Sequence, residues 1–179
     1  MPKYVAFLRG INVGGHNVKM EHLRRLFESQ GFSGVETFIA SGNVIFDSPV
    51  RNAKTLERKI ERCLRESLGY EAATFIRSTD EVAAVAAYQP FAGAELEAKG
   101  HTLYIAFLAD EPPDEAKRRV LALATEFDEF HVAGRELYWL CRQRISDSEV
   151  SGAALAKALG AQSTMRNSNT VRRLAAKYS

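Results

Sequence analysis

The chain predicts an α+β fold with a mainly antiparallel sheet, and three observations carry that expectation. Short apolar runs of strand character alternate with longer segments whose apolar residues recur at three- and four-residue spacing. The turns between them hold Gly, Asn and Ser, the residue types that tight connections need. The elements follow the order β-α-β-β-α-β through residue 77, and a similar cycle begins again at residue 101.

Tyr4–Leu8 is apolar on both faces and reads as a central strand. Residues 9–19 form a polar, glycine-rich connection to a helix that carries Met20, Leu23, Leu26 and Phe27 on one face and stops at Gly31. Val35–Ala40 and Val44–Phe46 read as strands joined through Ser41-Gly42-Asn43. A second helix is expected from Asn52 to Leu68, with Leu56, Ile60, Cys63, Leu64 and Leu68 as its apolar stripe and Gly69 as its end. Ala73–Arg77 is the fourth strand. This is the split βαβ, ferredoxin-like pattern, two helices on one face of an antiparallel sheet. Ser78-Thr79-Asp80-Glu81 reads as a capping box opening a short Ala/Val helix that Pro90 terminates. Residues 91–100, with two glycines, are the expected boundary, giving domains at 1–90 and 101–179.

In the second cycle Thr102–Leu108 is a strand, and Pro112-Pro113-Asp114 starts a helix with Ala116, Val120, Leu123, Ala124 and Phe127 inward. Glu129–Val132 and Glu136–Cys141 pair through Ala133-Gly134, with one of Tyr138 and Trp139 in the core. A helix at Gly152–Leu159 stops at Gly160, and Thr164–Ser168 reads as a loop entering a last helix, Asn169–Lys177. The second unit is therefore expected to be βαββαα, smaller than the first, and a repeat of it in topology rather than in residue identity.

Hydrophobic residues make up 46% of the chain against five prolines, enough for a substantial core. No stretch approaches the ~18 consecutive apolar residues of a membrane span, and the run between Lys3 and Arg9 is too short for a signal-peptide core. Cys63 and Cys141 lie inside apolar patterns and are expected to be reduced, unpaired thiols of a cytoplasmic protein. The net charge of +2 is unevenly spread. Residues 1–25 hold five basic side chains against Glu21, and residues 142–179 hold seven against Asp147 and Glu149, leaving the middle acidic. If the two ends meet, they form a basic region on an acidic body.

Three polar motifs are candidate sites. The first, Arg9-Gly10-Ile11-Asn12-Val13-Gly14-Gly15-His16-Asn17, joins a strand to a helix. Glycines there let the backbone turn sharply and present amide N–H groups where a helix N-terminus favours an anion. Gly10 and Gly15 have P-loop spacing, but His16 and Asn17 stand where Lys and Ser/Thr would grip phosphate and magnesium, so an NTPase is excluded. Its structural alternative is a turn with Asn17 as helix cap. The second motif is Ala40-Ser41-Gly42-Asn43-Val44, where Gly42 and Asn43 suit a tight hairpin. The third is Thr164-Met165-Arg166-Asn167-Ser168-Asn169-Thr170, whose Asn and Ser suit helix caps and whose Arg166 would project beside a helix N-terminus. The four histidines show no metal-ligand spacing with one another or with the cysteines, so no metal is expected, and no motif assigns a cofactor.

With Tyr4–Gly15, Ala40–Phe46 and Thr164–Val171 as its marks, the chain resembles the domain-of-unknown-function 1697 family of bacterial proteins. The resemblance implies an α+β fold of ferredoxin-like parts and no established reaction. Ser168 departs from the pattern where an aromatic residue is expected.

Three functions compete. The first is a binding module for a phosphate-bearing ligand, nucleotide or nucleic acid, using Arg9, Gly10, Asn12, Gly14, Gly15, Ser41, Gly42, Asn43, Arg166, Asn167, Asn169 and Thr170, with Arg9 and Arg166 converging on one site. The second is an enzyme acting on a small polar or phosphorylated substrate, and the third an interaction protein whose motifs are structural.

Overall fold

The computed structural model describes residues 1–11, 15, 17–39 and 42–178, which cluster into two compact units. Met1–Ala83 with Lys177–Ser179 form the first, and Ala84–Ala176 the second. The first unit holds strands β1 (Lys3–Leu8), β2 (Ser33–Thr37), β3 (Asn43–Asp47) and β4 (Thr74–Ser78) with helices α1 (Met20–Ser29) and α2 (Ala53–Leu68). The strands form one antiparallel sheet in the order β2-β3-β1-β4, so β1 is central, as its two apolar faces predict. Alternation along the pleat sends Tyr4, Ala6 and Leu8, with Val44, Phe46 and Ile76 of neighbouring strands, toward Leu23 and Phe27 of α1 and Leu56, Ile60 and Leu64 of α2. On the opposite face Val5, Phe7, Ile45 and Phe75 are buried as well.

Local signals set the ends of α2. Asn52 accepts the Thr55 N–H at 3.1 Å, and Gly69 closes the helix in the left-handed region at φ 81°. Two carboxylates one turn apart tie α2 to β4. The outward N–H of Ile76 donates to Glu57 Oε1 at 3.2 Å, and the N–H of Thr74 donates to Glu61. The spacings match: four helical residues rise about 6 Å and two strand residues about 6.6 Å. β4 is an edge strand, so these bonds satisfy amides that would otherwise invite another strand. Burial, and then the charge of Glu57, pushes the Glu61 carboxyl above the usual carboxylate range. Its folded pKa is therefore raised, and the stability it contributes is full below the unfolded carboxylate pKa and lost as pH rises through the folded one. In Glu61→Gln, urea midpoints measured from pH 4 to 8 should lose that downward component while the Thr74 bond keeps an acceptor. An unchanged pH profile would show that Glu61 carries no such linkage.

The expected capping box is present. Glu81 Oε1 accepts the Ser78 N–H at 2.9 Å and Ser78 Oγ accepts the Glu81 N–H at 3.1 Å, opening α3 (Thr79–Ala87) directly from the last residue of β4. A one-turn helix, α4 (Gly93–Glu97), follows in the stretch that its glycines mark as a connection.

The second unit holds β5 (Thr102–Leu108), α5 (Asp114–Leu121), β6 (Asp128–Ala133), β7 (Glu136–Cys141), α6 (Gly152–Leu159), β8 (Ser163–Asn167) and α7 (Ser168–Tyr178). Its sheet is antiparallel in the order β6-β7-β5-β8, the order of the first sheet. Two expectations change. Ser163–Asn167 is a strand pairing with β5, not a loop, so the unit is βαββαβα and equals the first in strand number. Helix α5 ends at Leu121, and Phe127, expected inward, is 41% exposed, because Thr125 Oγ1 accepts the N–H groups of Phe127 and Asp128 and turns the chain into β6. Tyr138 and Trp139 are both buried, so both, not one, belong to the core.

The repeat extends to residues. Tyr4-Val5-Ala6-Phe7-Leu8 and Tyr104-Ile105-Ala106-Phe107-Leu108 are the two central strands, and they hold the same register: Val5 lies opposite Arg77 and Ile105 opposite Arg166. Each arginine is buried, donates Nη1 to the carbonyl of the preceding residue at 3.0 Å, and stands at a strand end that passes straight into a helix.

Candidate functional site

Two of the three polar motifs meet inside the first unit. Leu8 donates its N–H to the Gly42 carbonyl at 2.9 Å, tying the β2–β3 hairpin to the end of β1. Gly42 is left-handed at φ 84°, and a Cβ there would stand 3.2 Å from Leu8 Cβ, Leu8 O and Ile11 Cβ, so only glycine fits without displacing backbone. Asn43 is not the second left-handed residue of the turn. It is an extended, fully buried β3 residue whose Nδ2 donates to the Phe38 carbonyl at 2.9 Å and whose carbonyl accepts the Phe38 N–H at 3.0 Å. That pair of bonds explains its buried amide as hairpin closure.

From this junction the first motif leaves with Arg9 exposed, its N–H held by the Ala73 carbonyl at 2.9 Å. Gly10 and Gly15 are left-handed, at φ 78° and 87°, and a Cβ added at either would meet nothing within 4 Å. Asn12, Gly14 and Ser41 lie outside the described residues. The cap of α1 is Lys19, not Asn17, and it makes no side-chain capping bond. The first-turn amides of α1 thus receive no side-chain oxygen from their cap residue.

The third motif belongs to the second unit and has local partners. Arg166 is 8% exposed and lies in β8, where Nη1 donates to Thr164 Oγ1 at 2.8 Å as well as to the Met165 carbonyl. Burial lowers its pKa to about 10. Asn167 Oδ1 accepts the Asn169 N–H at 2.9 Å, and Asn169 Oδ1 accepts from Arg172 Nη1 at 3.2 Å, so these two order the start of α7. Thr170 is half-buried in the first turn of that helix.

Two polar features go unmarked by the motifs, the Asp128 carboxylate and an arginine stripe on α2. Asp128 is a buried carboxylate in the second unit, bonded by Trp139, Ser148 and Thr125. Beside it Cys141 is buried and its thiol is pushed up to about 12, by burial and then by the Asp128 charge, which makes it chemically inert. On α2, Arg58, Arg62 and Arg65 form an exposed stripe that spacing alone signals. Among the described residues no three His, Cys, Asp or Glu side chains stand together as a ligand set, and no helix is long and apolar enough to cross a membrane.

Two antiparallel sheets of identical strand order, with matching central strands, define a duplicated ferredoxin-like α+β protein. The chain belongs to the family of proteins of unknown function DUF1697, whose model matches residues 1–138. It is similar over 99% of its length to the structure of the conserved bacterial protein SP0830 from Streptococcus pneumoniae, covering 98% of that chain at 22% identity and a TM-score of 0.77, a likeness of fold. No curated protein matches it.

Proposed function

We propose that the first unit binds a phosphate-bearing ligand, a nucleotide or nucleic acid, at the loop after β1 and the adjoining β2–β3 turn. The packing of Gly42 against Leu8 and Ile11 carries the proposal, because it sets two glycine-bearing turns side by side next to exposed Arg9. Left-handed glycines expose backbone N–H groups, α1 begins without a side-chain cap, and an arginine fork suits phosphate oxygens. Asn12, Gly14 and Ser41 complete the set in sequence. The second unit supports the choice by contrast: where the first has Leu8-Arg9-Gly10, the second has Leu108-Ala109-Asp110, acidic and without glycine, so only one copy of the repeat has this chemistry. A cytoplasmic location is part of the proposal, supported by two buried free thiols.

Thermal-shift and calorimetric titration against nucleotides, sugar phosphates and short oligonucleotides tests it. At a hundred dissociation constants of ligand the fold should gain about 2.7 kcal/mol. Arg9→Ala should weaken binding roughly tenfold or more without moving the melting temperature of the free protein. Unchanged binding in that variant, or no shift with any phosphate-bearing compound, removes the proposal.

A further inference from the structure

The exposed face of α2 is a second basic surface, and its origin is a division of charge around the helix. Residues 51–71 carry six basic side chains, Arg51, Lys54, Arg58, Lys59, Arg62 and Arg65, and four acidic ones. Glu57 is buried against the Ile76 amide of β4, and Glu61, half-buried, reaches the Thr74 amide while still edging the arginine surface, so Glu66, Glu71 and part of Glu61 balance the outer face. Arg58, Arg62 and Arg65 follow one another at four and three residues, within a stripe about 60° wide and with rises of about 6 and 4.5 Å. All three are exposed. Arg65 stands 3.8 Å from Glu71, and Arg58 and Arg62 have no ion pair among the described residues. Two adjoining concavities, about 230 and 450 Å³, share these three arginines, and the first is also lined by Glu61, Glu71 and Ala72, so the second is the more purely basic of the two. The next residue, Ala73, holds the N–H of Arg9, so the arginine track leads to the loop after β1.

We infer that this face of α2 binds the sugar–phosphate backbone of a single nucleic acid strand, contacting two or three phosphates without reading bases. Guanidinium forks meet phosphate oxygens two at a time, which an ammonium cannot do. A protein partner would need an apolar anchor, and an anionic membrane a hydrophobic flank. No large hydrophobic residue of α2 is exposed. The row is straight and short, the geometry of one strand laid along a helix, and it offers no aromatic platform, so contact is electrostatic and tolerant of sequence. The inference does not require the ligand proposed for the loop after β1.

Fluorescence anisotropy of a labelled 20-nucleotide single strand, titrated with the full chain at several salt concentrations, tests it. Three phosphate contacts predict a slope of about −2 in log K against log salt, and loss of two about −0.7. R58A/R62A should therefore bind at least tenfold more weakly with the shallower slope, and R58E/R62E should not bind. Both positions are exposed on a helix, and circular dichroism with the melting temperature checks that the fold is kept. Oligonucleotide binding that survives R58E/R62E in folded protein overturns the inference, as does the absence of binding by the native chain. So does binding of phosphatidylserine vesicles or polyglutamate that depends on the same arginines and that the oligonucleotide fails to displace. Arg9→Ala separates the two sites: if it alone abolishes binding while R58A/R62A has none of the expected effect, the β1 loop stands and the α2 surface falls. The reverse pattern leaves the α2 surface and removes the loop as a site for nucleic acid, its binding of nucleotides being decided by the titrations above.

Discussion

Asp128→Ala should lower the urea midpoint reported by tryptophan fluorescence by an amount equivalent to about 3–5 kcal/mol, since three hydrogen bonds to a charged acceptor, roughly 1.5–3 kcal/mol each, are lost and the two half-buried hydroxyls recover part of theirs from water. The carboxylate is 1% exposed and fully used: Oδ1 accepts from Trp139 Nε1 and from Ser148 Oγ, each at 2.9 Å, and Oδ2 accepts from Thr125 Oγ1 at 2.7 Å. Alanine leaves one buried donor, the Trp139 indole, and two half-buried hydroxyls, Thr125 and Ser148, without their acceptor, and opens a hole beside the indole. Thr125 already accepts two backbone N–H groups, so its hydroxyl has no easy alternative. Asp128→Asn should cost less. Its Oδ1 can serve Trp139 and Ser148, while its Nδ2 meets the Thr125 hydroxyl donor to donor. Trp139 is the single tryptophan of the chain, so its fluorescence reports this region directly. Equal costs for alanine and asparagine would mean that the volume of Asp128, not its hydrogen bonding, holds the site.

The contrast between Asp128 and the strands around it explains what is legible in the sequence. The first unit follows from local signals: a doubly apolar β1, a capping box at Ser78–Glu81, Asn52 and Gly69 bounding α2. Asp128 takes its meaning from partners 11 and 20 positions away, which no periodicity announces. β8 is a harder case, because its pattern does alternate, with Thr164 and Arg166 buried between half-buried Met165 and Asn167. The inward residues are polar and the neighbours are good capping residues, so the usual cue for a strand is inverted. Arg166 itself, expected to project beside a helix, is instead held flat in the sheet. The repeat is written in five residues, Tyr4–Leu8 against Tyr104–Leu108, while the connections that follow them diverge in charge and glycine content. The arginine stripe on α2 is equally plain at the level of spacing, but a sum over the acidic middle of the chain conceals it, since Glu57 counts against the total and is buried against β4. At the site the pairing of Gly42 with the β1 end is half legible: glycine signals a turn, and only the fold shows which backbone lies against it.

Gly42→Ala should destabilise the chain by roughly 2–5 kcal/mol, and a matched control divides the cost between two causes. A left-handed backbone costs an L residue roughly 1–2 kcal/mol wherever it occurs. Gly69 has the same conformation, φ 81°, with nothing within 4 Å of the added carbon, so Gly69→Ala should show that cost alone. At Gly42 the new carbon meets Leu8 Cβ, Leu8 O and Ile11 Cβ at 3.2 Å, and the carbonyl belongs to β1, the central strand. Relief requires the hairpin to lift from β1, which breaks the Leu8 N–H bond to Gly42 and adds about 1–3 kcal/mol of overpacking. Denaturant unfolding of both variants measures the difference. A Gly42→Ala loss no larger than that of Gly69→Ala would mean that the hairpin yields without cost. A larger loss accompanied by weaker phosphate-ligand binding would mean that the turn, held against Leu8 and Ile11, keeps the loop after β1 in its binding shape. If stability falls and affinity does not, the junction is architectural, and Arg9 together with the amides after β1 accounts for binding by itself.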